Sequence, residues 1–277
     1  MPTISARTRL IALLGDPVAH SLSPRLQNTA FAAAGVDGIY LALRCDAESF
    51  AGLMTGIARA GGGGNVTLPH KALAASLLDS ATAAVERTGA CNTFWDEGGR
   101  LCGDNTDVAG FTAAARRLAG PLAGARVLLL GAGGAARAAA VALLDERVDA
   151  VVVFNRTTDR ARELASALDA PGQLGVAEDL DTVRGERFDL VVNSTSLGLN
   201  PGDPLPLDFD RIGEAGRVLD LVYAPGETAW VREARRRGIP AADGREMLVA
   251  QGAAAFERWW GIPAPVDVMQ RALEEAG

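Results

Sequence analysis

RVLLLGAGGAARAAAVALL, residues 126–144, sets a short apolar run, a glycine-rich turn and an alanine-rich helix former in immediate succession. The spacing Gly131-x-Gly133-x-x-Ala136 suits a nucleotide pyrophosphate. The first glycine permits the tight turn, the second lets backbone approach the phosphates, and a small third residue lets helix pack on strand. Gly134 and Ala135 open the helix, whose free N–H groups and positive dipole end attract an anion. A plain tight turn uses the same residue types. The order strand, glycines, helix, followed by the apolar run Val151–Phe154, favours a dinucleotide site.

The residues after that second run select the cofactor. A site for NAD places Asp or Glu there, about 20 residues past the glycines, to bond the ribose 2′-hydroxyl. This chain has Asn155, Arg156 and Thr157, then Arg160. Two guanidinium groups suit a 2′-phosphate, so the cofactor expected is NADP(H). The alternative is that Arg156 and Arg160 are solvated surface charges. The run Arg232, Arg235, Arg236, Arg237 near a helix end is explained by dipole compensation and solvation, and receives no function.

Outward from this core, apolar runs alternate with helical stretches. Leu10–Leu14, Gly38–Leu43, Arg126–Leu130, Ala150–Phe154, Leu190–Val192 and Val218–Val222 read as strands. Asn28–Ala34, Ser49–Ala60, Ala72–Ala84, Val108–Leu118, Ala135–Leu144, Thr158–Leu168 and Ala229–Arg237 read as helices. Such alternation predicts an α/β fold with parallel sheets and right-handed crossovers. Gly120–Gly124 is a candidate joint between two halves of different chemistry.

The 277 residues carry 48% apolar and 22% charged side chains and a net charge of −7. That composition excludes wholesale disorder, and the acidic balance argues against a nucleic-acid face. Two histidines and three cysteines without CxxC spacing leave no expected metal site and point to reduced thiols in a cytoplasmic protein. The apolar stretch at Leu10–Leu14 is too short for a signal peptide, and no run is long enough to span a membrane.

The first hundred residues hold several polar clusters. Ser21 and Ser23 follow the first strand; in extended backbone their hydroxyls would project to one side and suit a carboxylate or polyol. Ser23-Pro24 equally suits a helix N-cap and first turn. Asn65-Val66-Thr67-Leu68-Pro69-His70-Lys71, Gly89-Ala90-Cys91-Asn92-Thr93 and Gly103-Asp104-Asn105-Thr106-Asp107 supply a Lys, an Asp, amides and hydroxyls. That set fits a small polyhydroxylated substrate and a proton transfer, but spacing does not bring Lys71 and Asp107 together.

With GDPVAHSLSP, NVTLPHK, GACNT, GDNTD, GAGGAARA, NRTTDRA, NSTSLGL, DLVYAPGET and DGREMLVAQGAAAFERWWG in this order, the chain resembles the shikimate dehydrogenase family over nearly its whole length. The resemblance implies two domains. A substrate domain spans 1–107 and is completed by C-terminal helices in 245–277, and a Rossmann-like NADP domain spans 108–244. It implies that Lys71 and Asp107 are the catalytic pair, that Ser21 and Ser23 bind the substrate carboxylate, and that Thr67, Asn92, Asp107 and Gln251 meet the ring hydroxyls, with Asn65 and Tyr223 nearby. On the cofactor side it implies Gly131, Gly133, Gly134, Ala135, Asn155, Arg156, Thr157, Arg160, Thr195, Ser196 and Gly244. The implied reaction is reversible reduction of 3-dehydroshikimate to shikimate by NADPH, by a monomer or homodimer without nucleic-acid or membrane partners.

Two departures stand out. Gln27 replaces a histidine common in relatives, and Arg245 and Glu246 replace a small apolar pair, where they either alter the nicotinamide side or face solvent together. His20 and His70 are expected to pack or hydrogen-bond. The competing readings are a quinate/shikimate dehydrogenase with relaxed cofactor use, and a non-catalytic NADP-binding regulator.

Overall fold

The computed structural model describes residues 4–200, 202–224 and 226–275. The chain forms two compact units, one running to Gly110 and resuming at Leu248, the other Phe111–Met247.

The first unit contains β1 (Arg9–Gly15), α1 (Ser23–Ala34), β2 (Gly38–Arg44), α2 (Ala47–Arg59), β3 (Gly63–Val66), α3 (Lys71–Ser76), β4 (Ser80–Ala81), α4 (Ala83–Thr88), β5 (Thr93–Glu97) and β6 (Arg100–Asp104). Its sheet has the order β2-β1-β3-β5-β6-β4. β1 lies parallel to β2 and β3, but β5 runs antiparallel to both β3 and β6. The expectation of purely parallel sheets therefore fails here, and the cause is local. Gly98 and Gly99, at φ 62° and 85°, form a two-residue hairpin loop of the kind that needs positive φ twice, and so short a link cannot make a parallel crossover.

The single helix expected over Ala72–Ala84 is likewise two helices with a strand between them. The Asp79 N–H donates to the Leu101 carbonyl and the Leu101 N–H to the Asp79 carboxylate, both at 2.8 Å. This pairing draws Ser80–Ala81 onto β6, so sheet-edge bonding overrides helix propensity. Phe50, Met54, Leu14, Val66, Phe94 and Val85 form the core beneath.

α5 (Asp107–Ala119) carries the chain from the first unit into the second. There follow β7 (Arg126–Leu130), α6 (Gly134–Asp145), β8 (Ala150–Phe154), α7 (Thr158–Leu168), β9 (Leu174–Ala177), β10 (Arg187–Phe188), β11 (Leu190–Asn193), β12 (Glu214–Ala215), β13 (Val218–Asp220), α8 (Ala229–Arg236) and β14 (Ala241–Ala242). The main sheet has the order β14-β13-β11-β7-β8-β9 and every pair in it is parallel. The strand order reverses between β7 and β11, as in a doubly wound nucleotide-binding fold.

Within this unit β13 ends at Asp220, two residues before its expected limit. The fully buried Asp220 carboxylate accepts from Asn193 Nδ2 (2.8 Å), Thr228 Oγ1 (2.7 Å) and the Val222 N–H (3.1 Å). The last bond takes a backbone donor away from the sheet. Three of the four arginines in the basic run at the end of α8 are paired: Arg235 with Glu227, Arg236 and Arg237 with Glu233, and Arg237 with Asp210.

α9 (Arg245–Trp260) returns to the first unit and α10 (Val266–Glu274) completes it. Phe31 of α1 meets Phe256 and Trp260 at ring separations of 5.9 and 5.3 Å. Arg9 lies over the Trp260 ring and donates to the carbonyls of Gly61 and Trp259. The N-terminal α/β unit thus shares one core with the C-terminal helices.

Two outcomes test this account. A methyl group on Gly64 of β3 would overlap the Ala12 carbonyl oxygen and crowd the Phe94 ring, whereas exposed Gly56 of α2 has open space beside it. Gly64→Ala is expected to destabilise by about 2–3 kcal/mol, and Gly56→Ala to stabilise by about 0.5–1 kcal/mol, read from urea denaturation. The second concerns Asp220, whose carboxyl is pushed up chiefly by burial. The folded state then holds a proton that the unfolded chain releases. The ionised group therefore costs stability at neutral pH, and the cost is relieved as pH falls through the raised value toward the ordinary carboxylate range. Wild type is expected to gain stability relative to Asp220→Asn as unfolding is measured at successively lower pH; a constant difference would refute it.

Candidate active site

Lys71 is the first residue of α3. The turn before it is held by His70, whose Nε2 meets the Cys45 carbonyl at 2.9 Å and whose ring stacks on Phe50 at 4.6 Å, so this histidine is a packing group. Lys71 Nζ lies 2.5 Å from Asp107 Oδ2, the two side chains being 18% and 9% exposed. Asp107 heads α5, where the positive end of the helix dipole favours a carboxylate. Its second oxygen, Oδ1, accepts from Asn92 Nδ2 at 2.9 Å. The Cys91 N–H donates to the Lys71 carbonyl, fastening the Asn92 loop to the lysine's own helix. A cation held against one carboxylate oxygen, while the other is held by an amide, can steady negative charge on a substrate oxygen and deliver a proton to it.

Asn65 joins this cluster from β3. Its Oδ1 accepts from Tyr40 Oη (2.8 Å), and its Nδ2 donates to the Asn92 carbonyl (3.0 Å) and to Thr93 Oγ1 (2.9 Å). Thr67 follows β3, its N–H donating to the Leu14 carbonyl. Ser21 and Ser23 are not on extended backbone. Leu22 between them is helical at φ −83°, ψ −5° and is itself the N-cap of α1, with no side-chain cap, while the Ser23 N–H donates to Ser21 Oγ at 3.2 Å. The paired-hydroxyl geometry expected of a strand is replaced by a turn that draws the two serines together, and Ser23 is not a cap. Gln251 lies on α9, donating to the Leu248 carbonyl of its own helix. Gln27 donates to the Gly252 carbonyl and its Oε1 is buried without a partner. Among the described residues, no hydrogen bond joins Ser21, Ser23 or Gln251 to the Lys71–Asp107 cluster.

In the second unit, the residues expected to hold a cofactor gather at the carboxyl ends of β7, β8 and β11, beside the reversal of strand order. Gly131 has φ +111°, and a Cβ there would lie 2.6 Å from Ser194 Oγ and 3.2 Å from Thr195 Cγ2, so only glycine fits. Gly133 is the N-cap of α6 and provides no side-chain cap. The first N–H groups of the helix, at Gly134 and Ala135, therefore face no competing side-chain acceptor from the cap. Asn155 Nδ2 donates to the Thr157 carbonyl at 2.8 Å and shapes the next loop.

Arg156 and Thr157 on that loop, and Arg160 in the first turn of α7, are exposed. Among the described residues neither arginine has an ion-pair partner, while Arg162 nearby binds both Asp159 and Glu178. The acid of the first turn of α7, Asp159, is thus committed, and the Arg156 and Arg160 guanidinium groups are left without an ion pair. Thr195 Oγ1 donates to Asn193 Oδ1 (2.7 Å) and Ser196 is exposed beside it. Tyr223 follows β13 and is half-buried. Gly244 donates its N–H to the Val222 carbonyl, and a side chain there would strike Leu221. Arg245 and Glu246 do not face solvent as a pair: Arg245 binds Asp243 (2.7 Å) and the Gly226 carbonyl, and Glu246 binds Arg117 (3.3 Å). A close-approach glycine, an uncapped helix start and two free guanidinium groups fit a dinucleotide with an extra phosphate.

Sequence reasoning passed over Thr93 and Thr106. Nothing in their spacing separates them from other polar loop residues; Thr93 adjoins Asn92 in the chain, and only the fold brings Thr106 against it.

Residues 13–94 match the shikimate dehydrogenase substrate binding domain, 113–198 the shikimate / quinate 5-dehydrogenase family, and 244–274 the shikimate 5′-dehydrogenase C-terminal domain. A shikimate dehydrogenase (NADP(+)) of Moorella thermoacetica is 45% identical over 287 residues, which cover 100% of this chain and 96% of that protein. The crystal structure of shikimate dehydrogenase from Aquifex aeolicus superposes with a TM-score of 0.90 at 35% identity, covering 98% of this chain and 99% of that one. Shikimate 5-dehydrogenase from Thermus thermophilus, solved in complex with NADP(H) and shikimate, gives a TM-score of 0.87 at 39% identity, covering 98% and 100%. With an identity of this level over its full length and both halves matched in order, this chain belongs to the shikimate dehydrogenase family.

Proposed function

We propose that the chain interconverts 3-dehydroshikimate and shikimate with NADP(H), and that Lys71 and Asp107 are its catalytic pair. The observation that carries this reading is the 2.5 Å contact between Lys71 Nζ and Asp107 Oδ2, fixed from behind by Asn92, in a chain of this family. When bound, the reduced nicotinamide supplies the hydride to the ketone carbon. Lys71 offers its ammonium to the ketone oxygen, steadies the charge that grows there, and gives up the proton that completes the hydroxyl. Asp107 holds the ammonium in place and accepts from a neighbouring ring hydroxyl. In the oxidative direction the lysine receives the proton.

Ser21 and Ser23 take the ring carboxylate through their hydroxyls. Thr67, Asn92 and Gln251 meet ring hydroxyls, with Asn65 and Tyr223 close by. Gly131, Gly133, Gly134 and Ala135 receive the pyrophosphate. Arg156 and Arg160 take the 2′-phosphate, with Asn155 and Thr157 shaping their loop, and Thr195, Ser196 and Gly244 line the nicotinamide side. The first unit is then the substrate domain and the second the NADP domain. Three unpaired, buried cysteines support a cytoplasmic setting, and among the described residues no helix is long and apolar enough to cross a membrane.

Shikimate oxidation, followed by absorbance of reduced nicotinamide, tests the reading. Lys71→Ala and Asp107→Ala are each expected to lower kcat by about 10²–10⁴-fold, with KM for NADP little changed. Variants that retain wild-type kcat would remove the pair from the mechanism. Replacing Arg156 and Arg160 together by Ala is expected to raise KM for NADP by roughly 10–100-fold, the scale of two lost charge-assisted bonds, and to leave the KM for NAD nearly unmoved. An equal rise for both cofactors would make the arginines general surface charge.

A further inference from the structure

The Asn92 side chain sits in a closed set of hydrogen bonds. Its Nδ2 donates to Thr106 Oγ1 (3.0 Å) and to Asp107 Oδ1 (2.9 Å). Its Oδ1 accepts from the Thr106 N–H (2.8 Å), from Thr93 Oγ1 (3.0 Å), and lies 3.1 Å from Thr106 Oγ1. The two threonine hydroxyls are 3.2 Å apart, and Thr93 Oγ1 also accepts from Asn65 Nδ2 at 2.9 Å.

Counting protons, with two lone pairs on Asn92 Oδ1, leaves two arrangements that use every donor once, and they differ only in the two threonine hydroxyls. Both N–H groups of Asn65 are spent on the Asn92 carbonyl and Thr93 Oγ1, and both N–H groups of Asn92 on Thr106 Oγ1 and Asp107. Either the Thr106 hydroxyl donates to Thr93 Oγ1 and the Thr93 hydroxyl to Asn92 Oδ1, or the Thr93 hydroxyl donates to Thr106 Oγ1 and the Thr106 hydroxyl to Asn92 Oδ1. In both, Asn65 feeds Thr93 and one threonine hydroxyl closes the set on Asn92 Oδ1. Thr93 is fully buried and Thr106 is 2% exposed.

We infer that Thr93 is a positioning residue for the reaction proposed above: its hydroxyl holds the Asn92 amide so that an N–H, and not the carbonyl oxygen, faces Asp107. The opposite amide orientation sets Asn92 Oδ1 against Asp107 Oδ1, acceptor against acceptor, and turns Nδ2 toward the Thr106 N–H, donor against donor. Asp107 then loses the bond that fixes its Oδ1, and with it the fixed direction of Oδ2 toward Lys71. Three donors lie within reach of Asn92 Oδ1: the Thr106 N–H, the Thr106 hydroxyl and the Thr93 hydroxyl. Loss of the Thr93 hydroxyl removes one of them and leaves an Asn65 N–H buried without an acceptor. Being inaccessible, Thr93 acts only through its neighbours.

The inference rests on the proposed reaction, and one experiment separates the two. Thr93→Val keeps the shape and removes the hydroxyl; Thr93→Ser keeps the hydroxyl and removes the methyl. Each is compared with wild type for kcat, for KM of shikimate and of NADP, and for urea midpoint, and the Asn92 side-chain N–H signals are followed for solvent exchange by ¹H–¹⁵N spectroscopy. The expected result is a kcat lower by roughly tenfold or more in Thr93→Val, about the effect of one buried hydrogen bond on a barrier. KM for NADP is expected to stay unchanged, Asn92 N–H exchange to quicken, and Thr93→Ser to recover most of the kcat. Equal kcat losses in both variants, tracking the urea midpoint with Asn92 exchange unmoved, would make Thr93 a packing residue and overturn the inference. So would a wild-type kcat in Thr93→Val. A wild-type protein that turns over no shikimate refutes the assigned reaction instead, and the exchange measurement still decides whether Thr93 orients Asn92. If Thr93→Val fails to fold, Thr106→Val breaks the same set at its other hydroxyl and is read with Thr106→Ser by the same criteria.

Discussion

Lys71 and Asp107 are held largely out of water, and a charge so placed is tolerable only when paired and hydrogen-bonded. That constraint organises the polar half of the first unit. One Asp107 oxygen goes to the lysine and the other to Asn92, so Asn92 must present a donor. A donor on one side of the amide requires that its oxygen be satisfied on the other, which recruits Thr106 and Thr93. Thr93 in turn needs a donor, which Asn65 provides, and Asn65 Oδ1 is met by Tyr40. The chain of obligations reaches from the start of α5 through β5 and β3 to β2. Register places its strand members: Asn65 pairs with Thr93 across β3 and β5, and Thr93 with Asp104 across β5 and β6.

The second unit answers a different requirement, close approach of backbone to an anion. Gly131 is obligatory because Ser194 and Thr195 occupy the space its side chain would take, and those residues are there because β11 lies next to β7. The reversal of strand order thus creates the crevice and also dictates glycine at its edge. Asp220 shows the cost of organising the neighbouring loops: a buried carboxylate gathers Asn193, Thr228 and Val222 while its own ionised form is disfavoured by burial. Ion pairing also sorts the arginines. Arg162, Arg235, Arg236 and Arg237 are each matched by acids, whereas Arg156 and Arg160, which follow β8, are left without an acid partner and so available to a phosphate.

Much of this was legible in the residues alone. The strand–glycine–helix order at 126–144 carried the nucleotide-binding half, because backbone sterics and helix capping act within a few residues. Asn155-Arg156-Thr157 carried the cofactor preference for the same reason. The motifs of the first hundred residues carried the family. The misread places have non-local causes. Ala72–Ala84 has helical composition, but Asp79 bonds Leu101, more than twenty positions away, and a strand interrupts it. Ser21 and Ser23 follow a strand, but Leu22 adopts a helical conformation, and alternation no longer describes them.

Local sequence therefore determined the elements, the glycine turn and the kinds of side chain available, since those depend on propensity, sterics and composition within short windows. Tertiary structure alone decided that Lys71 meets Asp107, that Asn92 turns its N–H toward that carboxylate, and that Thr93 and Asn65 hold it so. Apart from the neighbours Asn92 and Thr93, those contacts join residues 36, 15 and 28 positions apart. The partners were fixed when the sheet set its register, because a hydrogen bond in a buried cluster is specified by the last donor or acceptor left unpaired, and that is a property of the assembled neighbourhood.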